Sequence, residues 1–287
     1  MKNPQIKTND TKNLTSEEIV ETLLVESGTA TRFPTDEHRL LGFLGLKQIS
    51  FDFKEELDFP EIDPQSRKDL RAVLSRKERI VAVDSDLKEN RSRFSVLHEV
   101  GHFILPEHHE RLFFPDYDET LSWWTRVRLE REANQIAADL LFQGHRFTDE
   151  SIDHPISFRT ILDLAPRYGA SYEATARRYA ERHVLPCAVL VYDKISKTNE
   201  IDFDEDTYRL QYTVASGPFR KQFFRGLDCT PNKFTASELY KPKYWGEITQ
   251  GELVVGIDDH SKWHFDTEIF WNSYKIFQLV RRAKKIQ

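Results

Sequence analysis

Methionine is almost missing from this chain: Met1 is the only one in 287 residues. That excludes any metal site that rests on an internal methionine turn. Cysteine is scarce as well, with Cys187 and Cys229 alone. Two such distant residues form neither a disulfide framework nor a metal-ligand spacing, and they read as reduced thiols of a cytoplasmic protein. No run approaches the roughly 20 apolar residues of a membrane helix, so no membrane partner is expected. The opening Met1-Lys-Asn-Pro-Gln-Ile-Lys-Thr-Asn-Asp10 is polar and lacks the apolar region of a signal peptide. Neither sign of charge dominates. With a net charge of −6 there is no overall basic footprint for nucleic acid.

What is present is an ordinary soluble composition, 39% hydrophobic and 31% charged, in a length that suits one large or two modest domains. Within it, His98-Glu99-Val100-Gly101-His102 reads H-E-x-x-H inside the apolar run Phe94–Leu105. On a helix, residues four apart lie one above the other on the same face, so both imidazoles can reach one metal ion. Zinc with three protein ligands keeps an open position and brings the pKa of its water to about 7. Glu99, beside the first ligand, can take that water's proton and pass it to a leaving amine. These are the parts needed to hydrolyse a peptide bond. Leu97, Val100 and Ile104 keep the helical apolar spacing, and Pro106 stops the helix.

Two layouts compete for the third ligand. His108 sits at the spacing of H-E-x-x-H-x-x-G-x-x-H, but Leu105 stands where that pattern needs glycine, and the methionine turn is missing. His108, His109 and Glu110 therefore read as a solvated loop. The other layout takes a glutamate from a second helix, Leu129–Phe142, whose Leu129, Ala133, Ile136, Ala137, Leu140 and Leu141 form one buried stripe. Glu130 lies about 60° from the centre of that stripe and Glu132 about 100° away on its other edge, so both cannot face one ion. Glu130 shares its side with two alanines, which permit close approach, and with Asn134, which can hold a histidine through its far ring nitrogen. Glu130 is the expected ligand, Asn134 its supporting group and Glu132 the alternative ligand. Zinc suits two imidazoles best, and manganese is compatible.

The two helices resemble a known family. Arg93-Phe-Ser-Val-Leu-His-Glu-Val-Gly-His102 followed by Glu130-Arg-Glu-Ala-Asn-Gln-Ile-Ala-Ala-Asp-Leu-Leu141 is similar to the ImmA/IrrE metallopeptidases, over about residues 78 to 142. One departure stands at Phe142-Gln143, where the family usually has Met-Pro. The resemblance implies a gluzincin-like endopeptidase that cleaves an XRE-type helix-turn-helix repressor and so derepresses stress-response or mobile-element genes. Composition and spacing show nothing of that substrate.

The expected fold class is α+β: a zincin-like metallopeptidase domain, a helical hairpin resembling helix-turn-helix, and a C-terminal β-rich domain. The divisions are a polar N-terminus over 1–14, the peptidase domain over 15–150, the helical segment over 151–185 and the β-rich domain over 186–287. Thr15–Val25 reads as a capped helix ending near Gly28, and Asp36–Leu44 as a second. Leu70–Ser75 and Arg79–Asp84 read as a hairpin. Ile80, Val81, Ala82 and Val83 are the candidate edge on which an extended substrate could lie by strand addition. Phe113, Phe114, Tyr117, Trp123 and Trp124 form an aromatic group between the metal helices. Tyr117, His109 and His145 are oxyanion donors by type. The helices at 158–168 and 171–183 carry Arg177, Arg178 and Arg182, but Tyr172, Glu173 and Ala174 stand where a DNA-reading helix offers base contacts. They read as an αα-hairpin packed on the peptidase core. Strands are expected at 187–192, 208–215, 252–257 and 269–280. The Tyr212–Gly217 stretch is similar to the C-terminal region of IrrE-type members, which implies a GAF-like sensor. The rival functional reading is a non-catalytic, zinc-stabilised regulator that binds DNA or protein through residues 158–183. The intact Glu99 argues against it, because a structural site needs no base.

Overall fold

The computed structural model describes residues 14–53, 70–105, 108, 123–195, 206–223, 233–258 and 261–286. The chain divides into two compact units, Met1–Phe147 with Pro166–Ser171, and Thr148–Ala165 with Tyr172–Gln287. Among the described residues no helix is long and apolar enough to cross a membrane.

The first unit begins with α1 (Ser16–Glu26). Thr15 and Glu18 form a reciprocal capping box: the Glu18 carboxylate accepts from the Thr15 amide at 2.7 Å, and the Thr15 hydroxyl from the Glu18 amide at 3.3 Å. Two orphan donors of the first turn are thus satisfied. Helix α2 (Glu37–Leu44) is capped by the Asp36 side chain and closed by Gly45 at φ 66°, the left-handed turn that glycine adopts without a Cβ penalty. Strands β1 (Lys47–Phe51), β2 (Ala72–Ser75) and β3 (Ile80–Asp84) follow.

The strand order is β1-β3-β2, with β1 parallel and β2 antiparallel to β3. Ile80, Val81, Ala82 and Val83 therefore lie in the central strand, hydrogen-bonded on both sides, and the expected substrate edge is not there. The hairpin itself forms, but its outer strand is β2. Val81 and Val83 are buried, alternating with half-buried neighbours as one face of a strand packs on the core.

Helices α3 (Glu89–Ile104) and α4 (Trp123–Leu141) complete this unit. Val96, Leu97 and Val100 of α3 and Leu129, Ala133, Ile136, Ala137 and Leu140 of α4 are at most 1% exposed. Arg93, from the first turns of α3, reaches the Thr35 carbonyl at 2.8 Å and the Glu37 carboxylate at 2.5 Å. The motif arginine thus ties the metal helix to the start of α2.

The second unit holds α5 (Arg146–Ile152) in part, most of α6 (Phe158–Arg167), α7 (Tyr172–Arg182), α8 (Gly217–Phe223) and strands β4 (Ala188–Lys194), β5 (Thr207–Ala215), β6 (Lys233–Thr235), β7 (Ile248–Asp258), β8 (Ser261–Trp271) and β9 (Lys275–Ile286). The six strands form one antiparallel sheet in the order β6-β5-β4-β9-β8-β7. The run expected as one strand over 269–280 is a hairpin, because Asn272 accepts from the Tyr274 and Lys275 amides at 3.1 and 2.8 Å. An Asx turn of this kind reverses the chain inside an apolar run. Phe219 and Phe223 of α8 pack on Phe265.

Helices α6 and α7 also differ from expectation. Most of both helices belongs to the second unit and not to the first: α7 lies against β4 and β5, and Phe158 and Tyr172 both pack on Phe270. The first turn of α7 is occupied. Glu173 accepts from the Tyr212 hydroxyl at 2.6 Å and from Lys275 at 2.9 Å, while Arg178 is buried.

Candidate metal centre

The centre is built where α3 and α4 pass each other closely. Gly101 allows this: a Cβ there would lie 2.9 Å from the Ala133 carbonyl oxygen and 3.1 Å from its Cα. With no side chain between the backbones, the groups flanking that contact meet. His98 Nε2 and His102 Nε2 are 3.0 Å apart. The Glu130 carboxylate lies 3.2 Å from the first and 3.3 Å from the second. These three residues form a group that could hold a metal ion, and among the described residues no second such group occurs. His102 is buried, whereas the Glu130 side chain is 46% exposed, so the group opens to solvent on the α4 side.

Each ring is gripped at its far nitrogen. His98 Nδ1 lies 3.1 Å from Asn134 Oδ1, one turn along α4 from Glu130. His102 Nδ1 lies 2.8 Å from His108 Nδ1, and His108 Nε2 lies 3.2 Å from Glu132 Oε2. His108 is fully buried, so the expected solvated loop is not solvated at that residue; His109 and Glu110 lie outside the described residues. Glu132 faces His108 and Arg128, at 3.2 and 3.4 Å, and stays out of the group of three.

The donor chemistry fits a cation. An amide oxygen only accepts, so His98 must carry its proton on Nδ1. In the neutral ring its Nε2 lone pair then faces the Glu130 carboxylate and the His102 ring nitrogen. A positive charge at that point satisfies all three groups. In the bare site a proton shared among these atoms stands in for that charge. Hydrogen bonds from His102 and His98 hold the Glu130 carboxyl well below the ordinary carboxylate range, against its burial. Burial disfavours the charged form of His98, but the Glu130 hydrogen bond and the charges of Glu99 and Glu130 outweigh it, and its pKa is raised.

Glu99 stands on α3 between the two histidines in sequence. Burial pushes its carboxyl above the ordinary value, opposed by the charges of His98 and His102 and, more weakly, of Arg76. Such an upward shift suits a general base. Arg76 itself was not legible as part of the site. Its guanidinium, from the β2–β3 turn, donates to the carbonyls of Phe103, at 3.2 Å, and His102, and so caps the end of α3. His145 is exposed beside Glu21 of α1. Tyr117, His109, Phe113 and Phe114 lie outside the described residues, as does the Trp123 side chain; Trp124 is exposed.

Residues 57–179 match the family model of the IrrE N-terminal-like domain. This stretch is an ImmA/IrrE-family metallopeptidase domain. The IrrE-like segment takes in β2, β3 and both helices of the metal centre. A solved structure titled as a Mycobacterium tuberculosis transcriptional regulator is similar over 94% of this chain and 88% of that one, at 13% identity and a TM-score of 0.47. No curated protein matches the chain.

Proposed function

We propose that this protein is a zinc-dependent endopeptidase, with His98, His102 and Glu130 as the metal ligands, Glu99 as the general base and Asn134 holding His98. The observation that supports this most directly is the convergence of two Nε2 atoms of α3, the helix that also carries Glu99, and one carboxylate of α4 within about 3.3 Å of one another. A bound zinc ion would supply Lewis acidity, polarising the scissile carbonyl and making water more acidic. Manganese is the alternative ion for the same donors.

The chain's own residues supply the proton transfers. Glu99 accepts a proton from the attacking water as its oxygen bonds to the carbonyl carbon. It then delivers that proton to the departing amine nitrogen as the C–N bond breaks, which returns Glu99 to its starting state. An extended substrate needs a strand edge to lie on, and with β3 paired on both sides β2 is, among the described residues, the edge strand nearest the metal helix in sequence.

The expected substrate is an XRE-type helix-turn-helix repressor, cleaved in the cytoplasm so that its genes are derepressed. The family resemblance carries this part of the reading, and the geometry is compatible with any extended peptide. The occupied first turn of α7, with Glu173 bound to Tyr212 and Lys275, speaks against the rival DNA-binding role of residues 158–183.

The test is incubation of the zinc-loaded protein and its Glu99→Gln variant with the helix-turn-helix repressor encoded nearest to it, followed by intact-mass analysis. A cut made only by the unsubstituted protein is expected. Equal cutting by both proteins removes Glu99 from the mechanism. No cutting by either, with stoichiometric zinc in both, removes this repressor as the substrate.

A further inference from the structure

We propose that His108 and Glu132 are positioning residues: a one-way hydrogen-bond chain, His102 to His108 to Glu132, locks the His102 ring in the tautomer that can bind metal. The proposal rests on the metal-centre reading above and adds two residues to it.

The argument is a proton count. His102 Nδ1 and His108 Nδ1 are 2.8 Å apart, so one carries a proton and the other a lone pair. There are two ways to arrange this. If His108 donates, neutral His102 must bear its own proton on Nε2, which then points among His98 Nε2 and Glu130 and leaves no lone pair for a metal. If His102 donates, its Nε2 is free, and neutral His108 must bear its proton on Nε2. That proton has an acceptor waiting, since Glu132 Oε2 lies 3.2 Å away. A carboxylate can only accept, so the first arrangement sets a His108 lone pair against Glu132, whereas the second leaves its one free lone pair, on His102 Nε2, facing the point between His98 and Glu130 where a cation would sit; with metal bound, only the second satisfies every group. The other carboxylate oxygen is 3.4 Å from Arg128, one turn back on α4.

The surroundings show a built arrangement. His108, four residues past the end of α3 at Ile104, is fully buried, and its amide donates to the Leu105 carbonyl at 3.1 Å. The two metal-site histidines are thus held by different means. His98 meets a neutral amide on α4, and His102 meets an imidazole backed by a carboxylate on the same helix. Groups that hold a ligand's far nitrogen typically change metal affinity 10–100-fold when removed.

The test measures zinc dissociation constants by chelator competition for the unsubstituted chain, His108→Ala, Glu132→Ala, Glu132→Gln and the His108→Ala/Glu132→Ala pair. Losses of about 10–100-fold are expected in both alanine variants. The double variant should lose little more than either, because both residues act through one chain. Glu132→Gln should retain near-normal affinity, because its amide oxygen still accepts from His108 Nε2. Nitrogen-15 NMR of the zinc-loaded protein, which needs no substitution in a buried site, should show His102 protonated on Nδ1 and His108 protonated on Nε2. Affinity in folded His108→Ala within twofold of the unsubstituted chain, or His108 protonated on Nδ1 in the zinc-loaded protein, would overturn the proposal while leaving the metal centre standing. Failure of the unsubstituted chain to bind zinc would overturn both.

Discussion

Gly101 of the metal helix rests on the backbone of Ala133, with room for a hydrogen where a Cβ would come within 2.9 Å of the Ala133 carbonyl oxygen. This contact sets how near His98 and His102 stand to Glu130. Gly101→Ala gains helix propensity of up to about 1 kcal/mol but must push the helices apart, and overpacking of this kind typically costs about 1–3 kcal/mol. The obstacle is backbone, which cannot rotate away. The expected outcome is a lower melting temperature together with weakened zinc binding, the second measured by metal analysis after dialysis. A fully metallated, equally stable Gly101→Ala protein would show that the close approach is not needed.

Asn134 offers a cleaner separation of binding from folding. Its Oδ1 accepts from His98 Nδ1 at 3.1 Å on the exposed side of the site. Asn134→Ala should lower zinc affinity about 10–100-fold with little change in thermal stability of the metal-free protein. Asn134→Asp, which keeps an acceptor oxygen, should recover most of that affinity. If Asp and Ala behave alike in chelator competition, the hydrogen bond to His98 contributes nothing.

The grouping of His98, His102 and Glu130 into a candidate metal site, and the helices that carry them, were readable in the sequence because local rules govern them. H-E-x-x-H needs only helical periodicity to bring His98 and His102 together, and the stripe Leu129–Leu141 showed which face of α4 is buried. The capping pair Thr15 and Glu18 was similarly local. What could not be read depended on pairing across distance. Ile80–Val83 alternates like an edge or a core strand alike, and only the parallel partner β1 decides. His108 looked solvated because nothing in its neighbours reveals that Glu132, on another helix, faces it. Its spacing from His102 was a signal of proximity, but the absent glycine and methionine argued only against ligation, not against support. The hairpin at Asn272 was hidden inside an apolar run.

Gln143 illustrates a departure from the family pattern that the structure explains. It follows α4 at φ 53°, is fully buried, and its amide joins the loop before α2. The side-chain oxygen accepts from the Thr31 amide at 2.9 Å, and the side-chain nitrogen donates to the Thr29 and Arg32 carbonyls, at 3.2 and 2.5 Å. Gln143→Ala would leave several buried backbone groups without partners, at a cost of about 1–3 kcal/mol. Gln143→Gly relieves the positive φ but loses the same bonds, so it should recover only part of that loss. Urea unfolding of the two variants checks the order; an Ala variant as stable as the unsubstituted chain would show the loop is anchored otherwise.

In the second unit, the Glu173 cluster should make stability depend on pH. Burial raises the Glu173 pKa, but hydrogen bonds from Tyr212 and Lys275 and the charges of Lys275 and Arg177 outweigh it, so the folded-state value lies below the ordinary one. A depressed carboxyl contributes stability that is fully present above its unfolded pKa of about 4.3 and is lost as pH falls through the folded value. Replacing the residue by Glu173→Gln removes that contribution at every pH. The urea midpoint of the second unit's unfolding should therefore differ between the two proteins at pH 7 and converge as the pH drops below about 4. The Lys275→Met variant should show the same convergence, since it removes the charge that holds the carboxylate ionised. A gap in midpoint that stays constant from pH 7 to the acid limit would mean that Glu173 acts through packing alone, and that its bonds to Tyr212 and Lys275 carry no net charge-dependent stabilisation.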